Sequence, residues 1–445
     1  MLGIGCFSML EKLRSLIVDM QEAPLFPGVA RRLASDSLPG KASVCIGVRR
    51  SGKSTWMGQI MEGLARGGVP RENILHLNFF DDRLRPLSLE TLGLVPEAYY
   101  SLYPAKRHRE VVHCFFDEIQ SVPGWESFID RLMRTERCQI HLTGSSAEML
   151  ASEVATQMRG RALVSEMFPF SFREYLDFLG RQVPTRWTAG GRAEARNALE
   201  GYWASGGFPE VLGADQRTRV RIHQDYFQSI LFRDLIERHD ISHPRAVADA
   251  ARRLVDNAGS AYTVNSLVGY LQALGHKVPK ASVGDYVRWF EDAYFLFTVR
   301  LFDASLARSN TNPKKVYCVD HALVTSVASG ILVNSGHLLE NLVFVALRRL
   351  WKDIYYFRDK SGYEVDFVVS RGAGERRLVQ VCESLADPRT AARETRALEA
   401  AMGELGIREA TLVTREEART IRCPAGQIEV LPIWRFLLEL PDASP

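Results

Sequence analysis

"GVRRSGKST", residues 47–55, decides how the rest of this 445-residue chain is read. It fits G-x-x-x-x-G-K-[ST] and follows the apolar run "ASVCI", so a strand leads through a glycine-containing turn into a helix. Glycines let backbone wrap closely around phosphate oxygens. The loop N–H groups and the helix N-terminus then supply partial positive charge to them. Gly47, Arg49, Arg50, Ser51, Gly52, Lys53, Ser54 and Thr55 form the expected nucleotide-binding set. Lys53 is expected to reach the β/γ-phosphates and the Ser54 hydroxyl to hold Mg²⁺, which makes ATP and Mg²⁺ the expected cofactors.

The surroundings agree. From residue 42 to about 170, the runs "NILHLNFF", "VVHCFFDE" and "QIHLTGSS" alternate with helical patterns, the mark of an α/β fold with a parallel sheet. In "VVHCFFDEIQ" a buried strand brings Asp117 to its tip, toward the metal's water shell, and Glu118 beside it can polarise the attacking water. Two acids that merely cap a strand are the plainer alternative. The strand ending "LTGSS" places Ser145 to sense the γ-phosphate, although Ser and Gly at a strand end are also ordinary turn chemistry.

The chain is 46% hydrophobic and 24% charged, so it can bury large cores, and its length points to two to four domains. A net charge of +3 argues neither for nor against nucleic acid. The seven Cys form no C-x-x-C pair and no Cys/His ligand spacing, so zinc is not indicated. No apolar run approaches the roughly 18 residues of a membrane span. The opening "MLGIGCFSML" lacks a basic n-region and an adequate apolar stretch, so no signal peptide is expected and the expected location is cytoplasmic. Residues 8–20 have helical spacing and are expected to form a leader helix.

Toward the C-terminus, "GYEVDFVVSRGAGERRLVQVCES", residues 362–384, reads as a metal-nuclease signature with two positions altered. Asp366 is in place, but Gln380 stands where an acid would help hold the metal, and Cys382 where a lysine would offset developing charge. Glu383 points to the opposite strand face and cannot substitute, whereas Glu364 shares a face with Asp366. Arg389, Arg393 or Lys360 could supply a migrated positive charge. Between these regions, residues 245–318 look like a winged helix. Val283, Val287 and Phe290 form the inward face of its third helix, and Ser282, Asp285, Arg288 and Glu291 the outward face. Acids on that face repel phosphate. DNA contact is therefore expected at the wing "ARSNTNPKKVY", where Arg308, Lys314 and Lys315 flank a turn with no acid nearby. A solvated hairpin tip or a subunit contact is the alternative.

Taken together, "GVRRSGKST", "HLNFFDD", "FFDEIQ", "LTGSSAEML", "MRGRALVSEMFPFSFREYL" and "SGGFPEVL" resemble the prokaryotic AAA+-type, archaeal-ATPase-like proteins, and within them a group fused to a C-terminal restriction-endonuclease-like domain. The resemblance covers about residues 25–435. It implies a leader helix at 1–24, an AAA+ core at 25–170 and a helical lid at 171–240. A winged helix at 241–318 and a PD-(D/E)xK-like domain at 319–445 would follow, the latter with a degenerate site of Glu340, Asp366, Gln380 and Cys382. It also implies an arginine finger at Arg161, with Arg159 second, supplied from a neighbouring subunit and hence a homo-oligomer, a hexamer being one arrangement. Gly206, Gly207 and Pro209 in "SGGFPE" read as a hinge between core and lid. The expected function is an Mg²⁺-dependent ATPase coupled to DNA binding or remodelling, branched DNA included. The alternatives are a nucleotide switch that recruits protein partners and an ATP-gated nuclease.

Overall fold

The computed structural model describes residues 2–25, 28–33, 38–145, 158, 160–184, 186–328, 334–371 and 375–441. The chain divides into two compact units, Met1–Met167 and Phe168–Pro445.

The first unit begins with helix α1 (Leu2–Glu22), longer at both ends than the sequence pattern indicates, with Leu13, Leu16 and Ile17 buried. Then come β1 (Ala42–Gly47), α2 (Lys53–Arg66), β2 (Ile74–Asn78), α3 (Leu89–Leu102), β3 (Val112–Asp117), α4 (Trp125–Thr135), β4 (Cys138–Ser145) and β5 (Ala162–Met167). The strands form one parallel sheet in the order β2-β3-β4-β1-β5. All six residues of β1 are buried, as a strand covered on both faces requires, which is why "ASVCIG" shows no polar alternation. The half-buried β5 is the strand that escaped the sequence reading, because "ALVSEM" mixes polar and apolar residues. Parallel strands put their C-terminal ends at one edge, where ligands bind in folds of this kind. Gly47 pairs with Ser145, and Asn78 with Asp117, so the loop and the acid share that edge.

The second unit opens with helices α5 (Phe172–Phe178), α6 (Ala189–Ser205) and α7 (Gln216–Ser229). The last runs on as a π-helical turn over Ile230–Glu237. Next are α8 (Pro244–Asp256), β6 (Ala261–Tyr262), α9 (Val264–Ala273), α10 (Lys280–Asp292), β7 (Leu296–Leu301), α11 (Leu306–Thr311) and β8 (Lys314–Cys318). On α10, Val283, Val287 and Phe290 are buried, and Tyr286 with them. Glu291 is not a solvated outward acid, since it accepts from the backbone N–H and the hydroxyl of Thr298 at 2.9 and 2.7 Å. The chain ends with α12 (His321–Val327), α13 (Ser335–Arg348), β9 (Ile354–Arg358), β10 (Glu364–Arg371), β11 (Glu375–Val381), α14 (Pro388–Leu405), β12 (Glu409–Thr414), β13 (Arg419–Cys423), β14 (Gly426–Pro432) and α15 (Ile433–Glu439).

A nine-stranded sheet, β13-β14-β12-β11-β10-β9-β7-β8-β6, runs through this unit. Its seam is the two-residue parallel pairing of β7 with β9, Arg300 opposite Tyr355 and Leu301 opposite Tyr356. The sheet is therefore continuous across residues 318 and 319. Helix α14 packs on it through Ala397, Leu398, Ala401 and Met402 against Val365, Val368, Leu378, Leu412 and Ile428.

The "SGGFPE" segment is a packed joint, which corrects the expectation of a hinge. Gly206 has φ 71°, and a Cβ there would meet Asp320 Oδ1 at 2.2 Å, while one on Gly207 would meet the Phe170 carbonyl oxygen at 2.3 Å. Phe170 donates to the Gly207 carbonyl at 2.6 Å and Gly207 N–H to Asp320 Oδ2 at 2.7 Å. These glycines allow close approach between fixed partners rather than swing. Gly207→Ala is expected to destabilise the second unit by about 1–3 kcal/mol through forced overpacking, read as a lower midpoint in thermal melting.

Candidate functional site: a nucleotide pocket and a buried charge cluster

The loop after β1 is shaped by steric necessity. A Cβ on Gly47 would lie 2.1 Å from the carbonyl oxygen of Met167, so only glycine fits. Gly52 caps α2 in the left-handed region at φ 98°, and Arg50 also has a positive φ, of 67°. Lys53, the first residue of α2, is buried, and its ammonium donates to the Gly47 and Val48 carbonyls at 3.1 Å each. Ser54 and Thr55 are exposed at the same helix start. Ser51 is fully buried, and its hydroxyl finds no partner among the described residues.

Asp117 closes β3 at 2% exposure and accepts a hydrogen bond from the Thr143 hydroxyl. Thr143 lies inside β4 and is less conspicuous in the sequence than Ser145 at the strand end. Strand alternation puts both on one face of β4, so the clue was present. The Ser145 side chain lies outside the described residues, as does Arg159, but the Ser145 backbone pairs with Gly47. Glu118 takes a left-handed backbone, φ 56° and ψ 39°, which a non-glycine residue adopts at some cost. Burial pushes its carboxyl above the usual range, with the attraction of Lys53 opposing. The Gln120 amide donates to it. A loop, a buried lysine and two acids thus converge at one sheet edge, an arrangement that suits a nucleotide polyphosphate, a divalent cation and a water nucleophile.

Arg161 sits at the other edge. Its carbonyl accepts from Ala42 N–H at 2.8 Å, at the N-terminal ends of β1 and β5, and its guanidinium pairs with Asp130 on α4 at 3.0 Å. Five strand steps, about 17 Å, separate that point from Gly47. Arg161 therefore lies outside the cluster formed by Lys53, Asp117 and Glu118.

In the second unit three acids, Glu340, Glu364 and Asp366, gather around an unexpected residue. The Lys315 ammonium contacts Glu340 Oε1 at 2.9 Å, Glu364 Oε1 at 2.9 Å and Asp366 Oδ1 at 2.8 Å. Tyr317 donates to Glu340 Oε1 at 2.6 Å, Val381 N–H to Asp366 Oδ2 at 2.9 Å, and Arg358 to Glu364 Oε2 at 2.5 Å. A register shift between Val365 and Val368 marks an irregularity in β10, so Val365 and Val368 both join the α14 core while Glu364 and Asp366 reach Lys315. Burial, then Asp366, pushes Glu340 up to about 7 against the pull of Lys315 and Tyr317. Burial would lower Lys315, but Asp366, Tyr317, Glu340 and Glu364 together hold it well above its ordinary value. Gln380 bridges, accepting from Asp366 N–H at 3.0 Å and donating to Glu394 at 2.7 Å. Burial raises the Cys382 thiol to about 11, so it stays neutral. Lys360 and Arg389 are exposed, and Arg393 pairs with Glu394. The positive charge at this site comes from Lys315, 51 residues before Asp366 in sequence, too far for local pattern reading.

This corrects the expected wing. Lys315 is 5% exposed and locked among acids, so it cannot meet a phosphate. Arg308 lies on the short helix α11 rather than a turn, and Asp303 pairs with it at 3.3 Å. Lys314 is half-buried, and burial lowers its pKa.

Residues 40–176 match the AAA domain family, so the first unit holds a P-loop domain of the AAA class. Residues 196–332 and 335–436 match two domains of unknown function, DUF8612 and DUF4143. The chain belongs to the same family as the uncharacterized protein MJ1544 of Methanocaldococcus jannaschii, being 31% identical over 413 residues that cover 90% of this chain and 89% of that protein. An uncharacterized protein of Haemophilus influenzae is 28% identical over 340 residues, 76% of this chain and 81% of its own length. Among solved structures, the Walker-type ATPase PABY2304 of Pyrococcus abyssi aligns at TM-score 0.40 and 14% identity, covering 71% of this chain and 94% of that one. The Orc1 protein of Aeropyrum pernix in complex with DNA aligns at TM-score 0.27 and 12% identity, over 71% and 91%.

With Glu118 as the base that takes a proton from the attacking water, ATP turnover should fall in acid with a midpoint above the ordinary glutamate value of about 4.3. Glu118→Gln should bind ATP and lose that limb together with turnover. Thr143→Val should leave an Asp117 oxygen unpaired and weaken Mg²⁺ binding, seen as a higher Mg²⁺ requirement for half-maximal hydrolysis.

Proposed function

We propose that this protein is an Mg²⁺-dependent ATP hydrolase that works as an oligomer. The observation that carries the reading is the convergence of Lys53, Asp117 and Glu118 on one edge of the first unit's sheet. Lys53 leaves the Gly47 and Val48 carbonyls to engage the β/γ-phosphates. Ser54 and Asp117 hold the Mg²⁺, the latter oriented by Thr143. Glu118 draws a proton from the attacking water, and Ser145 completes the pocket at the end of β4. Arg161 acts in a neighbour's site, where it offsets charge on the transferring phosphate.

The work done with ATP falls on the second unit, and DNA is the partner we favour. Its α8–α10 region, with β7 and β8, is winged-helix-like, and its C-terminal part is restriction-endonuclease-like. The basic residues that support DNA contact are Arg252, Lys277, Lys280 and Arg288, all exposed on α8, on α10 or in the α9–α10 connection. Asp285 beside Arg288 tempers that helix. Contact of this kind is phosphate-based and weakens steeply with salt.

Lys53→Ala is expected to lower ATP turnover by about 10²-fold or more. Arg161→Ala should do likewise alone, yet a mixture of the two variants should recover part of the activity, since each supplies what the other lacks. No recovery with assembled protein argues against a finger in trans. Turnover measured with single-stranded, duplex and four-way DNA should rise with at least one of them, and Arg252→Ala/Lys280→Ala should blunt that rise. Turnover indifferent to every form favours a nucleotide switch that recruits protein partners.

A further inference from the structure

We propose that Lys315 is the resident cation of the C-terminal carboxylate cluster, holding the place a divalent metal would take and keeping the site metal-free.

The contacts are saturated. An ammonium has three N–H donors, and each finds a different carboxylate, from α13 (Glu340) and from two positions of β10 (Glu364, Asp366), at 2.8–2.9 Å. The second oxygens of Glu364 and Asp366 are also engaged, by Arg358 and by Val381 N–H. Lys315 and Tyr317 leave β8 on the same face, and both meet Glu340 Oε1, so one strand delivers the charge and the hydroxyl that steadies it. These spacings are those of charge-assisted N–H···O bonds. Mg²⁺ would need its oxygens at about 2.0–2.1 Å and Ca²⁺ at about 2.3–2.6 Å. Among the described residues no group of three or more His, Cys, Asp or Glu is arranged to hold a metal ion.

The reach of Lys315 is itself a built feature. In the sheet order β10-β9-β7-β8, its strand lies three places from Asp366. In a flat sheet that is about 14 Å, more than a lysine and an aspartate span together. The sheet must therefore curl between β10 and β8 for the ion pairs to form. Gln380 completes the conversion: where an acid would add metal affinity, a neutral amide ties Asp366 N–H to Glu394. The cluster then acts as an internal ionic tie between β8, α13 and β10, independent of solution cations.

The test uses the full chain without nucleotide and Mn²⁺ as probe, counting bound ions by the loss of the free Mn²⁺ electron paramagnetic resonance signal. Wild type should bind no Mn²⁺ that Asp366→Asn removes. Lys315→Ala, with its fold checked by circular dichroism, should gain one Mn²⁺ per chain, lost again in Lys315→Ala/Asp366→Asn. Lys315→Met, which keeps the apolar stem, carries the same comparison if the alanine variant does not fold. Any Mn²⁺-induced change in the wild-type melting midpoint, relative to EDTA, should be unaffected by Asp366→Asn. An Asp366-dependent Mn²⁺ site in wild type, an Mn²⁺-induced rise in its melting midpoint that Asp366→Asn abolishes, or a folded Lys315 variant that binds none would each overturn the proposal. None of these readings depends on ATP turnover.

Discussion

The second unit is organised around one requirement: a buried ammonium must be matched on every side. Removing an ion from water costs several kcal/mol, and the attraction inside the protein offsets this only when the geometry is complete. Lys315 meets that condition with three carboxylates, each with a further donor. The requirement reaches outward. Asn341, next to Glu340, exchanges two hydrogen bonds with the backbone of Cys318, at 2.7 and 2.9 Å. Helix α13 is thereby docked on β8 by consecutive residues, one ionic and one amide. Two segments that sequence patterns separate at residue 318 thus share a sheet, a helix contact and a charge balance.

The first unit answers to a steric requirement instead. Gly47 sits where Met167 O leaves no room for a side chain, so the loop can turn tightly at the end of β1. Parallel pairing brings Asp117 and Ser145 to the same edge. Membership of the family that includes MJ1544 extends over nearly the whole chain. In this chain the AAA match at residues 40–176 is followed by the two matched domains of unknown function, at 196–332 and 335–436.

Much of the first unit could be read from the sequence because its chemistry is local. Nine consecutive residues specify the phosphate loop, and a buried apolar strand followed by two acids is equally compact. What was missed there, Thr143 and β5, lacked a local mark: one polar residue within a strand, and one strand of mixed polarity. In the second unit, the alternation that put Glu364 with Asp366 was sufficient, as was the helical spacing that buried Val283, Val287 and Phe290. The wing failed because composition cannot tell an exposed lysine from a buried one. "NPKK" offers two adjacent lysines, and strand alternation sends only Lys315 inward, toward acids 25 to 51 residues away. Long-range pairing of this kind leaves no trace in a short window.

The joint at Gly206 and Gly207 has a mechanical meaning. Phe170, Tyr202, Gly207 and Asp320 are linked by hydrogen bonds of 2.6 to 2.7 Å between segments far apart in sequence. Asp320 also caps α12 through the N–H groups of Ala322 and Leu323. Helices α6 and α12 therefore behave as members of one stiff truss, in which a load on either is borne by the other. Two adjacent glycines, usually the most compliant element in a chain, have here become its rivet.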